Sequence, residues 1–68
     1  MKKGKFKREN VKPLRESLQL TQRELANILG ATIFAISSWE NPRNTDKSIR
    51  IAYSRKLWDL ADKNGIKF

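Results

Sequence analysis

Residues 21–41 read TQRELANILGATIFAISSWEN and open with a strong signal for the start of a helix. Thr21 and Glu24 have the spacing of a capping box, in which each side chain bonds to the backbone N–H of the other residue. Apolar residues follow at helical spacing, namely Leu25, Ala26, Ile28 and Leu29. The pattern predicts a helix over about residues 21–29.

A tight turn and a second helix follow directly. Gly30 favours the left-handed conformation that ends a helix, and only one residue separates it from Thr32, a good N-cap. The next helix is expected over about residues 32–40, with Ile36 and Trp39 facing the core. Two short helices joined by a glycine-containing turn form a helix-turn-helix.

The flanking segments also carry helix signals. Asn10 is placed to cap a first helix whose apolar face holds Val11, Leu14 and Leu18. A last helix is expected over about residues 46–63, where Asn64-Gly65 ends it. Its expected core stripe consists of Ile49, Ala52, Tyr53, Leu57 and Leu60. Because strand signals are missing, these patterns together predict an all-α fold with four main helices.

Composition restricts the function classes. The chain has 68 residues, which corresponds to one domain with a thin core. It contains no Cys and no His, so a disulfide framework, a zinc finger and thiol or imidazole catalysis are excluded. We therefore expect no metal, no cofactor and no enzymatic activity. The longest apolar run, residues 33–36, is far shorter than a membrane span.

Charge points to a polyanionic partner. Fifteen Lys and Arg face seven Asp and Glu, and the formal net charge is +8. Five of the cations lie in residues 1–8, which we interpret as a flexible basic arm, followed by a folded domain over residues 9–68. Lys5 and Lys7 of this arm are candidate phosphate contacts. A solvated tail without a binding role is an equally good interpretation.

The helix-turn-helix stretch resembles the Cro/phage-repressor family. Thr21-Gln22, Leu25-Ala26, Leu29-Gly30 and Ile36-Ser37-Ser38-Trp39-Glu40-Asn41 match the positions that this family favours. The resemblance covers about residues 10–60 once the flanking helices are included. It implies a compact lambda-repressor-like domain of four to five helices, with the helix-turn-helix at its centre.

The resemblance also implies a way of binding DNA. The helix over residues 32–40 would enter the major groove, while the preceding helix lies across the backbone. The implied phosphate contacts are Gln22 and Arg23 at the start of the preceding helix, and Arg43, Asn44, Thr45 and Lys47 in the later loop. Arg15 and Glu40 resemble an ion pair that fixes the recognition helix in several family members; the alternative is two separate surface charges.

The expected base-contacting residues are unusual for this family. They are Thr32, Ile33, Phe34, Ser37 and Ser38, none of which forms a bidentate hydrogen bond to guanine or adenine. Ile33 and Phe34 are suited to thymine methyl groups, so we predict an operator rich in A·T pairs. The alternative is that both residues turn inward and belong to the core.

A second apolar face is expected on the last helix. Ile51 and Trp58 are seven residues apart and lie opposite the core stripe. This face suggests a homodimer, at least on DNA, that reads a palindromic operator. The plainer alternative is that the C-terminal tail, with Ile66 and Phe68, folds over Trp58 within one chain.

Two functions remain in competition. The first is a sequence-specific, double-stranded DNA-binding regulator, resembling a Cro repressor of a phage or mobile element and acting in the bacterial cytoplasm. The second is a helix-turn-helix-derived protein-interaction module, such as an antitoxin or an anti-repressor. The exposed pair Ile33-Phe34 would favour the second function. The basic arm and loop favour the first, because a protein partner does not require them.

Overall fold

The computed structural model describes residues 4–43 and 49–68, and it confirms the all-α prediction. A short 3-10 turn precedes four α-helices: the turn is Arg8–Asn10, and the helices are α1 (Val11–Ser17), α2 (Gln22–Leu29), α3 (Ile33–Glu40) and α4 (Ile51–Lys63). No strand occurs in these two ranges. Among the helices described, none is long and apolar enough to cross a membrane.

The helix-turn-helix forms as the sequence predicts. The Thr21 hydroxyl accepts from the Glu24 N–H at 3.1 Å, and the Glu24 carboxylate accepts from the Thr21 N–H at 2.9 Å. Gly30 follows α2 in the left-handed conformation, with φ of 70°. The Thr32 hydroxyl then accepts from the Ala35 N–H at 3.2 Å and caps α3. The two caps and the glycine turn fix both ends of α2 and the start of α3.

Helices α1, α2 and α4 end in the same way. Gln19, Gly30 and Gly65 lie just past the three helices and have φ values of 57°, 70° and 68°. In each case the amide of the following residue donates to the carbonyl five residues earlier, at 2.8–3.1 Å. This is the Schellman arrangement, which satisfies carbonyls that have no partner inside the helix. The two glycines were predicted as helix ends; Gln19 was not, because a left-handed glutamine has no sequence signature.

Two predicted helix starts are wrong. Asn10 makes no side-chain cap bond, because the 3-10 turn leads directly into α1 and Asn10 already has near-helical dihedral angles. The last helix begins at Ile51 rather than near residue 46, since Arg50 is in an extended conformation with ψ of 150°. Residues 44–48, which include the predicted start, lie outside the described residues.

All four helices and the N-terminal segment contribute to the core. Its buried apolar residues are Phe6, Val11, Leu14, Leu25, Ala26, Leu29, Ile36, Trp39, Ile49, Leu57 and Ala61. Two predicted core residues are on the surface instead: Ile28 is 48% exposed and Ala52 is exposed. Each lies on the side of its helix that faces away from this cluster. Ser54 is buried in α4, and the apolar periodicity gave no indication of it.

Residues 4–8 are part of the folded domain, which corrects the prediction of a flexible arm for that part of residues 1–8. Phe6 is only 2% exposed, and its backbone N–H donates to the buried Ser54 hydroxyl at 3.0 Å. The Phe6 ring packs edge-on against the rings of Trp58 and Phe68, with distances between ring centroids of 4.8 Å and 5.6 Å. Residues 1–3 lie outside the described part of the chain.

This packing also changes the expected dimer face. Trp58 is half-buried, contacts Phe6, and donates from its indole Nε1–H to the Gly4 carbonyl at 3.1 Å. Phe68 contacts the same phenylalanine, and Ile66 packs against the core. The N-terminal segment therefore covers part of Trp58 within one chain, and the C-terminal tail of the plainer alternative reaches the same aromatic cluster through Phe6. Ile51 remains 47% exposed.

Replacing Ser54 should loosen the N-terminal segment. In Ser54→Ala the buried Phe6 N–H loses its acceptor, so we expect the free energy of unfolding to fall by about 1–3 kcal/mol. Urea unfolding monitored by tryptophan fluorescence measures the change. Ser17→Ala at an exposed position is the matched control, which should stay within about 0.5 kcal/mol of the parent protein. Equal stabilities for both variants would contradict the packing of residues 4–8.

Candidate nucleic-acid interface

An ion pair fixes α3 against α1. The Arg15 guanidinium donates from Nε to Glu40 Oε2 at 2.7 Å and from Nη2 to Glu40 Oε1 at 2.9 Å. The two side chains are only 15% and 7% exposed. Arg15 also donates from Nη1 to the Leu20 carbonyl at 2.9 Å. One guanidinium therefore joins α1, the turn before α2 and the C-terminal end of α3, which confirms the predicted pair.

The electrostatics of the pair favour the charged forms. Burial by itself raises the pKa of the Glu40 carboxyl, but hydrogen bonds from Arg15 and Gln22, together with the positive charges of Arg15 and Lys12, outweigh it, and the pKa lies below its usual range. The hydrogen bond to Glu40 raises the pKa of the Arg15 guanidinium above its usual value. A bidentate pair that is this well shielded from water has a single preferred geometry. It therefore determines the position of α3 as well as neutralising two charges.

Gln22 belongs to this cluster and is not turned to solvent. Its Nε2 donates to Glu40 Oε1 at 3.2 Å, and the residue is half-buried. The Gln22 amide nitrogen is therefore already bound to Glu40 in the free chain, and its contact with a DNA phosphate stays a prediction. The cause of this bond is the bidentate pair, which leaves an acceptor lone pair on Glu40 within reach of the first turn of α2.

Arg8 is a second cation at the same end of α3, and no motif in the sequence predicts its position there. Its Nη2 donates to the Ser38 carbonyl at 2.9 Å and to the Asn41 carbonyl at 3.3 Å. These bonds satisfy carbonyls at the C-terminal end of the helix, where positive charge is favourable. The N-terminal segment is thus attached to α3 as well as to α4. No sequence signal marks a contact across 30 residues.

The exposed face of α3 is apolar at its N-terminal end. Phe34 is 82% exposed and Ile33 is 39% exposed, so the alternative in which both residues turn inward is excluded. Ser37 is also exposed, whereas Ser38 is half-buried. Thr32 is exposed at the start of the helix, with its hydroxyl occupied as the cap. The predicted base-contacting residues are therefore presented together on one short helix.

Exposed cations stand close in sequence to residues that contact the C-terminal end of α3. Arg23 follows Gln22, whose side chain reaches Glu40, and Arg43 lies three residues beyond Glu40. Lys7 adjoins Arg8, which is bound to the same helix end. These three side chains and that of Lys5 are exposed. Among the other predicted phosphate contacts, Asn44, Thr45 and Lys47 lie outside the described residues.

Within residues 4–43 and 49–68, no three Asp or Glu side chains come together as a set of metal ligands.

Comparisons of the chain with protein-family models, with curated proteins and with solved structures found no match. The geometry of α3 and the charges around it are therefore the features that bear on function.

Removing the carboxylate should strongly destabilise the domain. In Glu40→Gln the largely buried Arg15 guanidinium loses its counter-charge, and we expect the free energy of unfolding to fall by about 2–4 kcal/mol. Urea unfolding near neutral pH measures the change. The control is Asp59→Asn, which breaks an exposed pair with Lys63 at 3.9 Å and should change stability by less than about 1 kcal/mol.

The pH dependence of stability tests whether the ion pair between Arg15 and Glu40 causes the loss of stability in Glu40→Gln. A lowered pKa means that Glu40 stabilises the fold above its unfolded-state pKa, and that this stabilisation is lost as the pH falls through the folded-state value. The stability difference between the parent protein and Glu40→Gln should therefore shrink between about pH 7 and about pH 3. A difference that is independent of pH would contradict a charge interaction at this position.

Proposed function

We propose that the chain is a sequence-specific DNA-binding regulator with a lambda-repressor-like domain of the Cro/phage-repressor type. The observation that supports this best is the presentation of α3. Its C-terminal end is held by Arg15 and Arg8, while its N-terminal turn exposes Ile33 and Phe34 to solvent. A rigid helix with an exposed reading face is what entry into a major groove requires.

In this proposal α3 enters the major groove with its N-terminal end first. Phe34, Ile33, Thr32 and Ser37 would approach the base edges, because they are the exposed residues of the first turns. Arg23 and Arg43 would meet the phosphates on the two sides of the groove, where they position the helix without reading sequence. The net charge of +8 supplies the long-range attraction.

A homodimer that reads a palindromic, A·T-rich operator remains part of the proposal. Of the two residues first assigned to the dimer face, only Ile51 is still available, at 47% exposure in the first turn of α4. The spacing of half-sites in a bound operator would report the dimer, because a symmetric pair places its recognition helices about one helical turn of DNA apart. The bacterial cytoplasm is the proposed location.

The second candidate is a protein-interaction module such as an antitoxin or an anti-repressor. The observation that favours it is the 82% exposure of Phe34, since a large exposed aromatic residue is a frequent feature of protein interfaces. It leaves the exposed cations around the C-terminal end of α3 without a role. For this reason DNA is the first proposal.

Selection from a random double-stranded DNA library distinguishes the two candidates. At about 150 mM salt, binding to phosphates alone is weak, so enrichment reports base readout. We expect an A·T-rich motif, repeated as an inverted pair if the protein binds as a dimer. A single half-site would retain DNA binding and remove the dimer. No enrichment by a folded protein would contradict sequence-specific DNA binding and leave the protein-interaction candidate.

Neutralising a phosphate contact should weaken binding without changing its specificity. For Arg23→Gln we expect lower affinity for enriched and random duplexes alike, and a slope of log affinity against log salt that is smaller by about 0.9. Fluorescence anisotropy over a salt series measures both quantities. Lys63→Gln at the exposed end of α4 is the matched control and should leave the slope unchanged. An unchanged slope in Arg23→Gln would remove this residue from the interface.

A further inference from the structure

The reading face of α3 lacks the side chains that recognise bases by paired hydrogen bonds. Its sequence, IFAISSWE, contains one charged residue and no amide. The charged residue, Glu40, is occupied by Arg15 and Gln22. Bidentate recognition of guanine or adenine requires Arg, Lys, Asn or Gln, so this helix cannot provide it.

What the helix offers instead is an apolar surface. Phe34 exposes 82% of its area and Ile33 exposes 39%, although both occupy the first turn of a helix whose core positions, Ile36 and Trp39, are buried. Leaving an aromatic ring in water forgoes the free energy of burying it. A binding partner that covers Phe34 with an apolar group would recover that free energy.

The charges around α3 indicate what this partner is. Arg23 and Arg43 are exposed near the C-terminal end of the helix, and no exposed carboxylate lies on α3 itself. This combination of an apolar tip and flanking cations complements a groove with phosphate walls. In the major groove the apolar group at the base edge is the C5-methyl of thymine, and 5-methylcytosine carries a methyl at the same ring position.

We infer that α3 recognises C5-methyl groups of pyrimidines, in thymine and in 5-methylcytosine alike, with Phe34 as the main specificity-determining residue. This inference rests on the DNA-binding function proposed above and goes beyond it. Under this inference the helix prefers a C5-methyl group, and its preference for A·T base pairs is a consequence of the methyl group that thymine carries. A G·C pair becomes acceptable at a contacted position when its cytosine is methylated.

The test uses a duplex that carries the motif most enriched in the selection. At each thymine in turn, four versions are prepared: thymine, deoxyuridine, and a G·C pair with 5-methylcytosine or with cytosine. Thymine and deoxyuridine differ only by the methyl group, as do the two cytosines. Fluorescence anisotropy gives the affinity of each version for the full-length protein.

At the contacted positions we expect each methyl group to strengthen binding about fourfold, the value of burying one such group. Thymine should therefore bind better than deoxyuridine, and 5-methylcytosine better than cytosine. In Phe34→Ala both ratios should fall to about one. Because Phe34 is so exposed, this variant keeps its fold, which circular dichroism verifies. Ile28→Ala removes an exposed apolar residue from α2 that has no place in the proposed contacts, and it should keep both ratios.

The other outcomes are separable. If the duplex is bound but methyl groups have no effect, or if their effect persists in Phe34→Ala, the inference is overturned while the DNA-binding function stands. If methyl groups have no effect, contact with a protein partner becomes the proposed role of Phe34. If no duplex is enriched or bound, the proposed function fails and the inference fails with it.

Discussion

The bidentate pair between Arg15 and Glu40 is the interaction on which the arrangement of the other elements depends. It joins α1 to the C-terminal end of α3, and a third donor bond from Arg15 fixes the Leu20 carbonyl before α2. Gln22 then adds α2 to the same carboxylate. Burial alone would make this carboxylate costly, but three donors compensate for the lost water. A helix of eight residues thereby acquires a defined orientation, which a surface used for reading DNA needs.

The second constraint is size. A domain of 68 residues has little apolar surface to bury, and here the N-terminal segment supplies part of it. Phe6 lies between Trp58 and Phe68, so that the first described residues and the last ones close the same side of the core. A segment that looks like a charged arm therefore has a structural role through one aromatic residue. The backbone at Lys5 and Lys7 is thereby held close to the domain.

In the proposed interface, the residues that would provide affinity differ from those that would provide specificity. The cations of Arg23 and Arg43 lie beside one end of α3, and the uncharged reading face with Phe34 lies at the other. Contacts between these arginines and phosphates would give salt-dependent binding to any duplex. The weak, non-directional contacts of the face that carries Phe34 would depend on the shape of the groove and on the apolar groups in it. Discrimination would then come from several small contributions, each about the size of one methyl group.

The sequence by itself determined the local structure of this protein. The capping box at Thr21, the turn at Gly30 and the cap at Thr32 involve residues at most three apart, and such contacts can be read directly from a sequence. The exposure of Phe34 also followed from helical periodicity, and the resemblance to a known family supplied the Arg15–Glu40 pair. Only the tertiary structure decided the long-range contacts: that Phe6 is buried, that Ser54 receives its N–H, and that Arg8 caps α3. These contacts join residues 30 to 48 positions apart, and their free energy depends on burial that no local pattern encodes.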